Sequence, residues 1–179
     1  MTRKYAVYVM KTCAFTGHRP KGLGYPESDG RCAALKEKLR SLIVKLMEEE
    51  GVTHFISGMA QGVDMYAAEI VLDLKQTYPY ITLECAIPYE EQAAHWSAAL
   101  RNRYFSIAER CDQETMLQTH YTQDCLWKRN QYMVDHADIV LAVCNMRLHS
   151  GSKQTVLMAR RRLKPVWLVF PDTLELYVI

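Results

Sequence analysis

Nothing in this 179-residue sequence approaches the roughly 18 consecutive apolar residues that a bilayer-spanning helix needs, so no membrane partner is expected. Residues 5–10 are apolar but too short for the core of a secretory leader, and no small-residue cleavage site follows, which makes cytoplasm the expected location. Six cysteines are present but no CxxC pair, and the histidines show no HExxH or comparable spacing. That argues against a zinc site or a disulfide frame, and for thiols buried in a reducing compartment. Charge of one sign is also scarce. A net charge of +2 and a pI near 8.2 neither demand nor exclude a nucleic-acid partner. Two phosphate-binding fingerprints, G-x-G-x-x-G and G-x-x-x-x-G-K-[ST], are missing, which disfavours an ordinary dinucleotide enzyme and a P-loop NTPase. No metal and no cofactor is implied.

What remains is an alternation of short apolar runs and amphipathic stretches without repeats or low-complexity tracts. Strands are predicted at 12–16, 53–57, 81–87, 114–119, 138–144 and 165–170. Helices are predicted from Ser28 or Asp29 to Gly51, from about Val63 to Leu74, from Glu91 to about Cys111, from Asp124 to His136, and from Ser152 to Leu163. Strands apolar throughout and separated by helices imply a mostly parallel sheet covered on both faces, a doubly wound Rossmann-like α/β fold. One domain spanning 12–179 is expected, with residues 1–11 as an N-terminal extension.

In such sheets ligands sit beyond the carboxyl ends of the strands. Here those ends carry Gly17-His18-Arg19-Pro20, Ser57-Gly58-Met59-Ala60-Gln61-Gly62-Val63-Asp64, Pro88-Tyr89 and Ser150-Gly151-Ser152. Glycine lets backbone come close to a ligand. A helix starting near Ala60 to Gly62 would present unpaired N–H groups to an anion, with Arg19 adding a fork of donors. The plainer alternative stays open: glycine for turn geometry alone, and Asp64 merely favouring a helix dipole. Lys128-Arg129-Asn130 reads alone as a solvated helix face, and Arg160-Arg161-Arg162 as an exposed helix end.

Taken in order, FTGHRP, SGMAQGVD, IPYEEQAAHW, WKRNQYMVDHADIVLAV and SGSKQTVLMA resemble the YpsA-like family of the SLOG superfamily. That superfamily also holds DNA-processing protein A and the LOG-type phosphoribohydrolases. The likeness spans Cys13 to Pro171. It implies a Rossmann-like fold and a pocket for a nucleotide or nucleotide-derived ligand. By motif, it assigns binding to Gly17, His18 and Arg19, to Ser57, Gly58, Gly62 and Asp64, to Arg129 and Asn130, and to Gly151, Ser152 and Thr155. Tyr89, Gln92 and Trp96 would form a stacking wall for a base. The last loop reads Gly151-Ser152-Lys153 where YpsA-like members often have Gly-Gly-Thr, and in this it is more similar to DNA-processing protein A. The LOG-type PGGxGTxxE motif is absent, so phosphoribohydrolase activity does not carry over.

Three functions compete at this point. The leading one is binding or sensing of a nucleotide-like small molecule. The second is hydrolysis of an N-glycosidic bond in such a molecule, with Asp64 assisting a water and His18 handling a proton; no paired carboxylates or nucleophile–base set supports it. The third is binding of single-stranded nucleic acid, as the likeness to DNA-processing protein A suggests. A homo-oligomer is left open.

Overall fold

Seven strands join into one sheet in the computed structural model, which describes residues 10–179. They are β1 (Lys11–Gly17), β2 (Val52–Ser57), β3 (Thr82–Ile87), β4 (Gln113–Met116), β5 (Ile139–Val143), β6 (Val166–Val169) and β7 (Leu176–Val178). Six helices intervene: α1 (Pro20–Leu23), α2 (Gly30–Glu50), α3 (Val63–Leu74), α4 (Ala98–Ala108), α5 (Cys125–His136) and α6 (Gly151–Arg161). The order across the sheet is β4-β3-β2-β1-β5-β6-β7, parallel throughout except for the antiparallel pair β6 and β7. This is the expected mostly parallel, Rossmann-like sheet. The expected extension over residues 1–11 falls outside the described residues except for Met10 and Lys11, and Lys11 already belongs to β1.

Alternation along the strands sorts the core into two layers. Cys13, Phe15, Phe55, Leu83 and Leu141 pack with the apolar faces of α2, α3 and α4. Ala14, Ile56, Ala86, Val140 and Ala142 pack with α5 and α6. Alanine at three of those five positions leaves room for α5 and α6 to lie close over the sheet. Within α2 the buried residues Leu35, Leu39, Leu42, Ile43, Leu46 and Met47 follow the helical period. Asp29 caps its start by accepting from Arg31 N, and Gly51, at φ 73°, ends it. Five of the six cysteines are buried, Cys111 is half-buried, and all are free thiols.

Several boundaries differ from the sequence expectation. The helix predicted from Glu91 to Cys111 shortens to α4, with turns over 88–97. Ser97 caps α4 by accepting from Leu100 N, and the Gln92 amide donates to the carbonyls of Gly58 and Met59. Those long-range bonds hold the segment against the β2–α3 loop, so local helical spacing is overridden. The predicted loop after β1 contains the short helix α1, entered at Pro20 and ended by Gly24 at φ 78°. The 165–170 strand is not the last: the chain reverses after it, with Leu174 at φ 58°, and β7 pairs back on β6.

Candidate functional site

From β1 the chain steps outward through β2, β3 and β4, then returns to place β5 on the other side of β1. The connections therefore diverge above the carboxyl ends of β1 and β5, and a crevice must open there. A cavity of about 660 Å³ occupies it. The end of β1, the loop after it and α1 contribute Gly17, His18, Arg19 and Lys21. The α3 entry contributes Ala60 and Asp64, α5 contributes Leu126, Arg129 and Asn130, and the segment 148–152 closes the far side.

The glycines of the first two loops are there for packing between loops. At Gly17 a Cβ would collide with the Val63 side chain, so β1 and the start of α3 touch only because Gly17 has none. Gly62 has φ 90°, and a Cβ on it would lie 2.6 Å from His18 O, the carbonyl that accepts from Val63 N. Gly62→Ala is therefore expected to cost about 2 kcal/mol or more, through strain and contact together, and thermal denaturation measures it. At Gly58 the missing side chain makes room for the Arg129 guanidinium.

Arg129 and Asp64 are the buried charges of the site, 5% and 6% exposed. Arg129 Nη1 donates to Gly58 O and lies 4.0 Å from Asp64 Oδ2, while its Nε donates to Asn130 Oδ1 at 2.8 Å. Asp64 Oδ2 accepts from Ala60 N at 3.4 Å, and the Asp64 carbonyl accepts from Ser57 Oγ. Burial pushes the Asp64 carboxyl up to about 6, against the opposing pull of Arg129, the Ala60 N–H and Arg19. Burial likewise holds the Arg129 guanidinium below its ordinary value, opposed by Asp64 and reinforced by Arg19. A carboxylate displaced this far, in the wall of a crevice, is a mark of functional sites.

His18 is fixed rather than poised. Its Nε2 accepts from Asn145 N at 2.8 Å, its own N–H donates to Val143 O, and its carbonyl receives Val63 N. Nε2 therefore carries no proton, and burial lowers the ring's pKa, opposed by Asp172. Nε2 is thus committed to Asn145 N, and His18, through its ring and its backbone together, ties the β1, β5 and α3 loops to one another.

The N-terminus of α3 also departs from expectation. The loop leading into it bonds within the protein, Met59 N to Ser57 Oγ and Ala60 N to Asp64 Oδ2, and Val63 N, the first N–H of the helix, donates to His18 O. The anion at this helix end is Asp64 itself. The start of α6 also faces the cavity: Ser150 Oγ accepts from Lys153 N, and Gly151 and Ser152 line the wall. Thr155 lies one turn deeper and gives its hydroxyl to Gly151 O.

Of the residues singled out in the sequence, the cavity gathers Gly17, His18, Arg19, Asp64, Arg129, Asn130, Gly151 and Ser152. Ser57, Gly58 and Gly62 stand behind the wall as its scaffold. Tyr89, Gln92 and Trp96 do not line it. Tyr89 packs edge-on against Tyr121, Trp96 edge-on against Tyr104, and Gln92 is committed to Gly58 and Met59. The apolar lining comes from Leu126 and Leu148 instead. Leu126 was findable, since it lies three and four residues before Arg129 and Asn130 on a helix. Lys21 sits in the four-residue α1, too short to show a period, and Leu148 and His149 sit in a loop whose path no periodicity marks.

With the geometry in place, comparison with other proteins adds lineage. The family model described as YspA SLOG family matches residues 13–166. The UPF0398 protein YpsA of Bacillus subtilis is 27% identical over 177 residues, covering 94% of this chain and 97% of that one. A UPF0398 protein of Halalkalibacterium halodurans is 28% identical over 172 residues, covering 93% and 91%. Among solved structures, TM1055 superposes with a TM-score of 0.57 at 16% identity, covering 88% of this chain and 72% of that one. DNA processing protein A from Helicobacter pylori, solved for its single-stranded DNA binding mode, superposes at 0.58 with 19% identity; this chain, 89% covered, spans 65% of its length. At such identities the two structures speak for the fold alone. The family match covers every loop that builds the cavity, and on that match the chain belongs to the YpsA family of SLOG proteins.

Proposed function

We propose that the protein binds a phosphate-bearing, nucleotide-derived small molecule in the β1/β5 cavity. The observation that carries this reading is the convergence of Arg19, Lys21 and the start of α6 on one crevice whose lining also holds a buried carboxylate, Asp64. Phosphate would sit against the positive end of the eleven-residue α6, at Gly151 and Ser152, with Arg19 and Lys21 neutralising it. Asp64 would accept from a sugar hydroxyl, and Leu126 and Leu148 would flank the base. The family assignment and the fold shared with DNA processing protein A support a nucleotide-related ligand over other anions.

Titration calorimetry against AMP, ADP, ATP and ADP-ribose tests the reading. Heat is expected from at least one, with Arg19→Ala weakening it about tenfold through loss of a charge-assisted contact. Arg19 is exposed, so this substitution leaves the core intact. Silence across the panel, in heat and in thermal shift, would sink the reading.

The raised pKa of Asp64 favours one further possibility, hydrolysis at the N-glycosidic bond. Asp64 would take a proton from water as it attacks the anomeric carbon, and the base would leave with the bonding electrons. Product chromatography after incubation with the same panel separates this from binding alone. Turnover lost in Asp64→Asn supports it, and an unchanged rate removes Asp64 from the chemistry.

A further inference from the structure

The outer surface between α5 and α6 carries a second depression of about 500 Å³, lined by Trp127 from α5 and by Gln154, Leu157, Met158 and Arg161 from α6, with Arg162 just beyond. Trp127 is 49% exposed and Leu157 37%. An indole half in water is costly to leave uncovered and well suited to stacking. Its neighbours leave cationic charge over. Arg162 is matched by Asp135 at 2.8 Å and Lys128 by Asp124 at 2.9 Å. Arg161 has no acidic partner within ion-pair reach among the described residues, and Arg160 and Arg161 are both exposed. The depression thus combines one open aromatic face with unbalanced positive charge.

Its position gives the combination a use. The same two helices build the β1/β5 cavity: Leu126 faces the cavity and Trp127 the groove, while Ser152 faces the cavity and Gln154 the groove. Residues one or two apart on a helix point to different faces, so the two depressions lie on different sides of the same two helices, separated by a helix diameter of about 10 Å. We propose that the groove is a second nucleotide subsite, so that the natural ligand is a short single-stranded oligonucleotide. One nucleotide fills the cavity, a later one stacks its base on Trp127, and a further phosphate meets Arg161. An aromatic platform flanked by arginine is how single strands are held without reading sequence, and Leu157 shields the edge of the stack. The modest overall charge is no obstacle, because the matched acids leave the excess local to α6.

This inference rests on the nucleotide reading of the cavity, and the experiment separates the two. Affinities for dAMP and for the DNA tetranucleotide p(dA)4 are measured by calorimetry, with Trp127 fluorescence as a second signal. The tetranucleotide is expected to bind at least tenfold tighter than dAMP and to quench Trp127. Trp127→Ala and Arg161→Ala should each weaken the tetranucleotide about tenfold and leave dAMP unchanged. Trp127→Phe should restore much of the loss. Arg161→Ala should also flatten the slope of log affinity against log salt by roughly 0.7. Both side chains are exposed, so neither variant threatens folding. Equal affinity for the two probes, or a length advantage indifferent to Trp127 and Arg161, overturns the second subsite while leaving the cavity reading intact. A decaglutamate peptide that displaces the tetranucleotide at comparable concentration overturns it in favour of an acidic protein partner. Failure of both nucleotide probes overturns it too, and the ADP-ribose arm of the earlier titration then decides the cavity reading by itself.

Discussion

Asp64→Asn is expected to unfold at a higher temperature than the parent protein at pH 7.5, by roughly 5–10 °C. The cause is the displaced ionisation: burial holds the carboxyl at about 6 against an ordinary value of 3.8. A carboxylate raised on folding makes the native state the better proton binder. Its stabilising contribution is complete below about pH 4 and is lost as pH climbs through 6. At pH 7.5 the parent holds a buried charge that Arg129, at 4.0 Å, only partly compensates, and the asparagine does not. The difference is about 2–3 kcal/mol by linkage. The two unfolding midpoints should converge as pH falls towards 4. A variant less stable than the parent at pH 7.5 would mean that the Arg129–Asp64 attraction outweighs burial, contrary to this account.

The same carboxylate should couple ligand binding to pH. An anion entering the cavity adds negative charge near Asp64 and raises its pKa further, so the complex takes up a proton. Affinity should therefore decline as pH rises above about 6 and level off only above the pKa of the bound state. ADP-ribose suits the measurement, since a pyrophosphate diester does not itself titrate in that window. Asp64→Asn should remove most of the slope. A natural protein that keeps a destabilising carboxylate where asparagine would be more stable is trading stability for function.

Gly58→Ala carries the second large effect. Gly58 is not among the positive-φ residues, so alanine meets no backbone strain there. What it meets is the Arg129 guanidinium, with Asp64 Oδ2 at 2.8 Å. The added methyl must expel a buried arginine from its bond to Gly58 O, at a cost of about 3 kcal/mol. The double variant Gly58→Ala/Arg129→Ala distinguishes this from a general loop effect. Once the guanidinium is gone the methyl fills vacated space, so the pair should be less damaging than the sum of the singles by 1 kcal/mol or more, an order-of-magnitude figure for residues in direct contact. Additive urea-denaturation free energies would place the cost elsewhere.

These two residues also mark where sequence reading runs out. The strand and helix alternation was legible because each apolar run sees its environment locally: a fully buried parallel strand is apolar at every position, and α2 shows its buried stripe at helical spacing. The turns at strand ends were legible because glycine, proline and capping residues act over three or four residues. The post-β3 segment misled for the converse reason. Its spacing suits a helix over 91–111, but Gln92 bonds to carbonyls more than thirty residues away, and a contact of that range leaves no periodic trace. The expected stacking wall of Tyr89, Gln92 and Trp96 was lost with it.

The sequence by itself determined the alternation of strands and helices, the positions of the loops that rim the sheet, and the presence of arginine, aspartate and glycine in them. Only the tertiary structure decided which of those groups face one another. It turned Gly58 from a flexible turn residue into space for Arg129, and it set His18 Nε2 on Asn145 N. It set the start of α6, with Gly151 and Ser152, in the same cavity wall as Ala60 and Asp64 at the entry to α3. The physical reason is range: backbone propensity and amphipathic spacing are settled within a few residues, whereas burial of a charge, the bond that neutralises it and the pKa that follows are set by chain segments far apart in sequence and brought together by the switch in strand order between β1 and β5.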